Sequence, residues 1–197
     1  MTTKKRQISA ILCLFLAVSV LLCAALATTV GVMGPKITRL SAERDHMLAQ
    51  RIAVLQVENV IRASQPRRNA IEIRGYAEMI VDAATEFRKD PLVVARVALA
   101  ESDLNPKAIG DGGRAIGVMQ VHTRWWVGVV PFVKSANDLR DARTNIRAGA
   151  WILRHYADKC GVDVEAYLAC YNGGEKPNEQ ARAYATRVAG NLNREVR

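Results

Sequence analysis

An almost unbroken apolar run over residues 8–33 constrains this chain more than any other feature. Its mild polar interruptions are Ser9, Ser19, Thr28 and Thr29, and Lys4, Lys5 and Arg6 stand just before it. A helix that crosses a bilayer needs about 20 apolar residues, whereas the apolar part of a removable leader runs about 7–15. The run is long enough to span. With the basic cluster kept on the cytoplasmic side, everything after Met33 is expected on the opposite side, as a single-pass inner-membrane protein facing the periplasm. Ala25-Leu26-Ala27 provides the small residues of a cleavage site, so a removed leader stays as an alternative. Of the 197 residues, those beyond the run suffice for one domain, since single cores usually take about 100–150.

The formal net charge of +9 raises the question of nucleic acid, and its distribution answers it. Residues 1–69 hold 10 Lys+Arg against 3 Asp+Glu, a balance of +7, while residues 70–197 hold 18 against 16, a balance of +2. Basicity that flanks an apolar run fits membrane orientation and an anionic lipid surface, and no nucleic-acid partner is expected. Cys13 and Cys23 lie in the run, and Cys160 and Cys170 lie in the second half. No spacing resembles a zinc site, and His46, His122 and His155 are scattered, so neither metal nor cofactor is expected. Whether Cys160 and Cys170 pair or remain buried thiols stays open at this point.

Gly34-Pro35 is read as the end of the span. Residues 34–63 then place Ile37, Leu40, Leu48, Ile52 and Leu55 among Arg and Glu at roughly helical spacing, which predicts a helical stalk. Oligomerisation through it is a weak hypothesis, because Arg44 and Arg51 interrupt any seam. Residues 64–69, with Pro66, Arg67 and Arg68, read as a linker, and residues 70–197 as the domain. Ile73, Tyr76, Ile80, Ala83 and Phe87 mark a helix, and Asp90-Pro91 an N-cap with a first-turn proline. Leu92 to Ala100 is nearly all apolar, as befits a helix in the middle of a core. Residues 110–117 are glycine-rich and predict loops or a small hairpin. Further helices are expected around Ile146 to Tyr156, after Asp163, and from Glu179 to Asn191. Composition alone supports a small, mainly α domain.

Glu101 follows the buried helix directly. Apolar surroundings and the negative end of a helix both oppose ionisation, so its carboxyl is expected to stay protonated near neutral pH, which a general acid requires. A Glu that merely reaches water at a helix end is the competing explanation.

Glu101-Ser102, Asn105-Pro106, Ala108, Gly113, Ala115, Gly117, Met119 and Gln120 together resemble the signature of the soluble lytic transglycosylase family. Asn145-Ile146 with Gly149-Ala150 and Leu153 resembles the family's second block, Tyr171-Asn172-Gly173-Gly174 its Tyr-Asn motif, and Tyr184 falls where the family places a tyrosine. The resemblance implies a lysozyme-like fold, mainly helical with some β structure, acting on peptidoglycan glycan strands. It makes Glu101 the catalytic acid and then base, and gives substrate contacts to Ser102, Gln120, Tyr171, Asn172 and Tyr184. The implied reaction cleaves the bond between N-acetylmuramic acid and N-acetylglucosamine and leaves a 1,6-anhydro end. The chain departs from the pattern at Gly110, where the family carries serine, at His122 for a methionine and at Cys170 for an alanine, and the loop after Gly110 is one residue longer.

Asp103 and Asp111 are weighed as second carboxylates and assigned to turn roles. Two rivals remain: a hydrolytic muramidase of goose-type lysozyme character, and a non-catalytic envelope or virion protein that holds glycan. Wall remodelling, a wall-crossing machine, and phage entry or lysis are not distinguished.

Overall fold

A computed structural model describes residues 3–190, with few side chains described before residue 38. The chain divides into two compact units, Met1–Ala49 and Gln50–Arg197. Helix α1 (Thr3–Ser64) does not stop at Gly34-Pro35, where the sequence reading ended the span. A proline removes one hydrogen bond and can kink a helix without ending it when both flanks are helical. Among the described residues no helix is long and apolar enough to cross a membrane, and the expected span falls largely on side chains outside those described.

The stalk expected over 34–63 is divided: its residues up to Ala49 fall in the first unit, and its later residues pack into the second. Val54, Val57, Val60 and Ile61 are buried, and Val57, Ile61 and Val54 belong to the core of the second unit. Residues 54, 57 and 61 recur at three and four positions, the spacing of one helix face. Leu48, Ile52 and Leu55, which suggested the stalk, are exposed and form a different row. Glu58 accepts a hydrogen bond from Arg74 at 3.0 Å, joining this end of α1 to the next helix. The expected linker is pinned as well: Gln65 Nε2 donates to the Asp103 carbonyl at 2.6 Å and Arg68 to the Leu104 carbonyl at 3.3 Å.

Helix α2 (Ala70–Glu86) starts at Asn69, whose side chain accepts from the Ile71 N–H. Helix α3 (Pro91–Ser102) starts at Asp90, which caps Leu92 N–H, with Pro91 in the first turn. Val93, Val94, Ala95, Val97 and Ala98 are almost wholly buried, so α3 lies in the core as its composition predicts. Asp103 and Leu104 turn the chain in left-handed conformations at φ 55° and 58°. A three-stranded antiparallel ribbon follows: β1 (Ile109–Gly110), β2 (Ala115–Ile116) and β3 (Val121–His122), in that order. It leads into the short helix α4 (Thr123–Trp126). Helices α5 (Ala142–Cys160), α6 (Val164–Gly173) and α7 (Glu179–Gly190) complete the unit, with Asp141, Asp163 and Asn178 accepting from N–H groups in their first turns. Cys160 and Cys170 form a disulfide between the end of α5 and α6, which settles the pairing the sequence left open.

Candidate active site

Glu101 sits in the last turn of α3, and the ribbon is fastened against that turn from two directions. Ser102 Oγ donates to the Val118 carbonyl at 2.8 Å and accepts from Asn105 N–H at 3.1 Å. From α5, the wholly buried Asn145 holds three backbone groups of the same region. Its Oδ1 accepts from Met119 N–H at 2.7 Å, and its Nδ2 donates to the Ile116 and Leu139 carbonyls at 2.8 Å each. Such a fully satisfied buried amide fixes a turn more firmly than apolar packing could, because any shift strands a polar group. Two glycines make the approach close enough. A Cβ on Gly117, at φ +77°, would stand 2.5 Å from Asn145 Nδ2, and one on Gly149 would stand 2.6 Å from Met119 Cγ.

The resulting cleft has a volume of about 770 Å³. That lies within the roughly 300–1,000 Å³ of clefts that enclose drug-sized ligands. Glu101 lines it, with Asp111, Gln120, His122, Trp125 and Trp126 from the ribbon and α4. His155 and Tyr156 come from α5, Tyr171 and Asn172 from α6, and Glu175 from the turn beyond. Trp126 packs edge-on to Trp151, His155 and Tyr156, with ring centroids 5.4–6.1 Å apart, and forms a fixed aromatic wall. Trp125 is 59% exposed, so the two adjacent tryptophans divide between wall and surface.

Burial raises the Glu101 pKa above the ordinary carboxylate value. Two features oppose the rise: a hydrogen bond from Tyr184 Oη at 2.7 Å and the positive charge of Arg187. Arg187 itself lies 5.6 Å from the centre of the Tyr184 ring. Burial and the nearby Glu101 push the Tyr184 hydroxyl far up, so it remains a donor. Tyr171 Oη, likewise raised by burial, donates to the Met119 carbonyl at 2.8 Å and so braces the cleft floor.

Of the residues singled out in the sequence, Glu101, Gln120, Tyr171 and Asn172 meet in one cleft. Ser102 and Tyr184 do not line it. The Ser102 hydroxyl is committed to the Val118 carbonyl and Tyr184 is buried behind Glu101, so both orient the site and do not face a ligand. Asp103 is exposed, lies away from the cleft and lends only its carbonyl to Gln65 and Arg68. Asp111 takes the turn role assigned from sequence, opening the turn Asp111–Gly113, and it also borders the cleft and bonds His122 Nε2 at 2.9 Å. That hydrogen bond, followed by the charge of Arg114, holds its carboxyl below the ordinary value. The ribbon brings Asp111 and His122 together across eleven residues, which no local pattern reveals.

Gly110 is accounted for by space and not by conformation. Its backbone is extended, at φ −118° and ψ −179°, a region open to any residue. A Cβ there would collide with Gln120 Oε1. Gln120 is held in that position by its Nε2, which donates to the Gly117 carbonyl at 2.9 Å, and by a left-handed backbone at φ 45°. The family's serine and this placement of Gln120 exclude one another.

The sequence model of the Transglycosylase SLT domain matches residues 78–193. A protein named "Transglycosylase" from Enterobacteria phage PRD1 is 32% identical over 121 residues, covering 59% of this chain and 42% of that protein. A "Putative peptidoglycan-binding-like protein" from Escherichia coli (strain K12) is 26% identical over 129 residues, covering 57% of this chain and 81% of that protein. The match thus spans less than half of the phage relative. With more than half of its length matched, from within α2 past the end of α7, the chain belongs to the Transglycosylase SLT domain family.

Proposed function

We propose that the chain is a lytic transglycosylase that cleaves peptidoglycan glycan strands with Glu101 as its general acid and base. The observation that carries this reading is the buried carboxyl of Glu101, kept towards its protonated form at the wall of a cleft large enough for sugar rings. In the first step the Glu101 proton passes to the glycosidic oxygen as the bond to the muramic C1 breaks. The substrate's own N-acetyl carbonyl supports the positive charge at C1. The Glu101 carboxylate then takes the proton of the muramic C6 hydroxyl, whose oxygen bonds to C1. No water is consumed and the acid is restored. Tyr184 holds Oε1 of Glu101 and so presents the other oxygen, while Gln120, Tyr171 and Asn172 shape the floor and wall.

Asp111 favours one second reading. Hydrolysis in the usual glycosidase manner needs a second carboxylate, and Asp111 borders the same cleft in its ionised form. A muramidase would use it to direct water. Mass spectrometry of the muropeptides released by the purified chain separates the two: 1,6-anhydro ends support the transglycosylase, and free reducing ends, heavier by one water, overturn it.

The apolar run over 8–33 supports an anchor, with the catalytic unit on the periplasmic side. The Cys160–Cys170 disulfide accords with that side, since disulfides persist in oxidising compartments. The chain should stay in the inner-membrane fraction through high salt and be cut by external protease in spheroplasts. Release by salt alone refutes the anchor.

A further inference from the structure

A second cavity, of about 490 Å³, opens beside the cleft where the end of α5, α6 and the start of α7 converge. Glu175 borders both cavities, so the two adjoin at this side chain. The disulfide forms part of its lining, and Cys170 directly precedes Tyr171 of the cleft floor. The two linings differ in kind. The cleft carries Trp125, Trp126, Tyr156 and Tyr171, whereas no aromatic ring is among the described residues of the second cavity. Its chemistry is charge: Lys159 and Arg182 on one hand, Glu165 and Glu175 on the other.

These charges are not spent on each other. Among the described residues Lys159 and Arg182 make no ion pair, and Glu165 accepts a hydrogen bond from Thr186 Oγ1 at 2.9 Å. A solvated surface carries such groups too, but here they ring a concavity that adjoins the cleft. Neutral sugar rings gain little from uncompensated charges and much from aromatic faces. A short peptide with carboxylates and an amine gains from the charges.

We propose that this second cavity receives the peptide arm branching from the muramic acid residue, with Lys159 and Arg182 pairing with the arm's carboxylates and Glu175 and Glu165 facing its free amine. This inference rests on the peptidoglycan reading of the cleft. It makes the site selective for glycan that still bears its peptides. Exposed ion pairs are worth about 0.2–1 kcal/mol each, so two together give roughly a twofold to thirtyfold difference in KM.

The test uses the full chain in detergent, with two substrates: glycan strands with intact peptides, and the same strands stripped of peptides by an amidase. The wild type should show a KM for peptide-bearing strands roughly twofold to thirtyfold lower, and that advantage should shrink as salt rises. In the double variant Lys159→Ala, Arg182→Ala the ratio of the two KM values should fall to near one. In the charge reversal Lys159→Glu, Arg182→Glu it should pass below one. Both positions are exposed, and an unchanged melting temperature verifies the fold in each variant. Equal KM values in the wild type, or a ratio that survives the double substitution, overturns the peptide site while leaving glycan cleavage in place. Absence of cleavage of either substrate by the wild type overturns the function itself and the peptide site with it.

Discussion

Beginning the chain at residue 64 should destabilise the second unit severely, whereas beginning it at residue 50 should not, because the last turns of α1 complete the core. Val57 and Ile61 have no exposed surface, and Val54 and Val60 are each 5% exposed. Truncating a buried isoleucine to alanine costs about 2–5 kcal/mol. Removing the two methyl groups of a buried valine costs about 1.6 kcal/mol before any cavity is counted. The four side chains together therefore contribute roughly 7–10 kcal/mol, comparable with the about 5–15 kcal/mol of net stability of a whole domain. Releasing the segment also returns its conformational entropy, so point variants give the cleaner scale. Ile61→Ala in the fragment 50–197 should lower stability by about 2–5 kcal/mol, and adding Val57→Ala should lower it further, with some coupling because the sites are one turn apart. All three tryptophans, at 125, 126 and 151, lie in this unit, so their fluorescence in urea reports its unfolding. A fragment 64–197 with the urea midpoint of 50–197 would refute the reasoning and restore the domain boundary near residue 70.

Glu101→Gln should reduce glycan cleavage by at least about 10²–10⁴-fold, since an amide cannot donate the proton. Its effect on stability has a definite sign. Burial raises the carboxyl's pKa in the folded state, so the wild type loses stability as pH rises through that value, and the variant, neutral throughout, does not. Relative to the wild type, the variant should thus gain stability as pH rises from the ordinary carboxylate value through the raised one, with no further change above it; melts over a pH series check this. Reducing the Cys160–Cys170 bond, which closes a loop over a separation of 10 residues, should cost about 2–3 kcal/mol, read as a lower melting temperature in reductant. Trp125→Ala should raise KM on polymeric glycan by roughly fivefold, about 1 kcal/mol, with melting temperature nearly unchanged because the ring is mostly exposed.

The starts of two helices were legible because their signals are local: Asp90 and Asp163 each cap an N–H two or three residues on. The apolar character of α3 likewise marked the core, and with it the setting of Glu101. The ribbon was legible only as a glycine-rich hairpin region, because strands of two residues are too short to show alternation. The second apolar face of α1 was hidden by Glu58 and Asn59, which interrupt the run between Val57 and Val60. In the site, the family resemblance named Glu101, Gln120, Tyr171 and Asn172, but which groups face the cleft depends on tertiary contacts. Ser102 and Tyr184 turned inward for that reason, and Asp111 turned towards the cleft once β3 brought His122 beside it.

The mutual exclusion of a Cβ at Gly110 and the present Gln120 amide couples two positions ten residues apart through space. The atom in the way is the end of a flexible side chain, so Gly110→Ser need not harm folding; it would re-aim the amide and break its bond to the Gly117 carbonyl. Drift at either position therefore changes what is tolerated at the other. The family pattern carries the serine together with the glutamine, so in that form the glutamine side chain has to point elsewhere. Gly110→Ser should therefore alter KM on glycan through the displaced amide while leaving the melting temperature nearly unchanged.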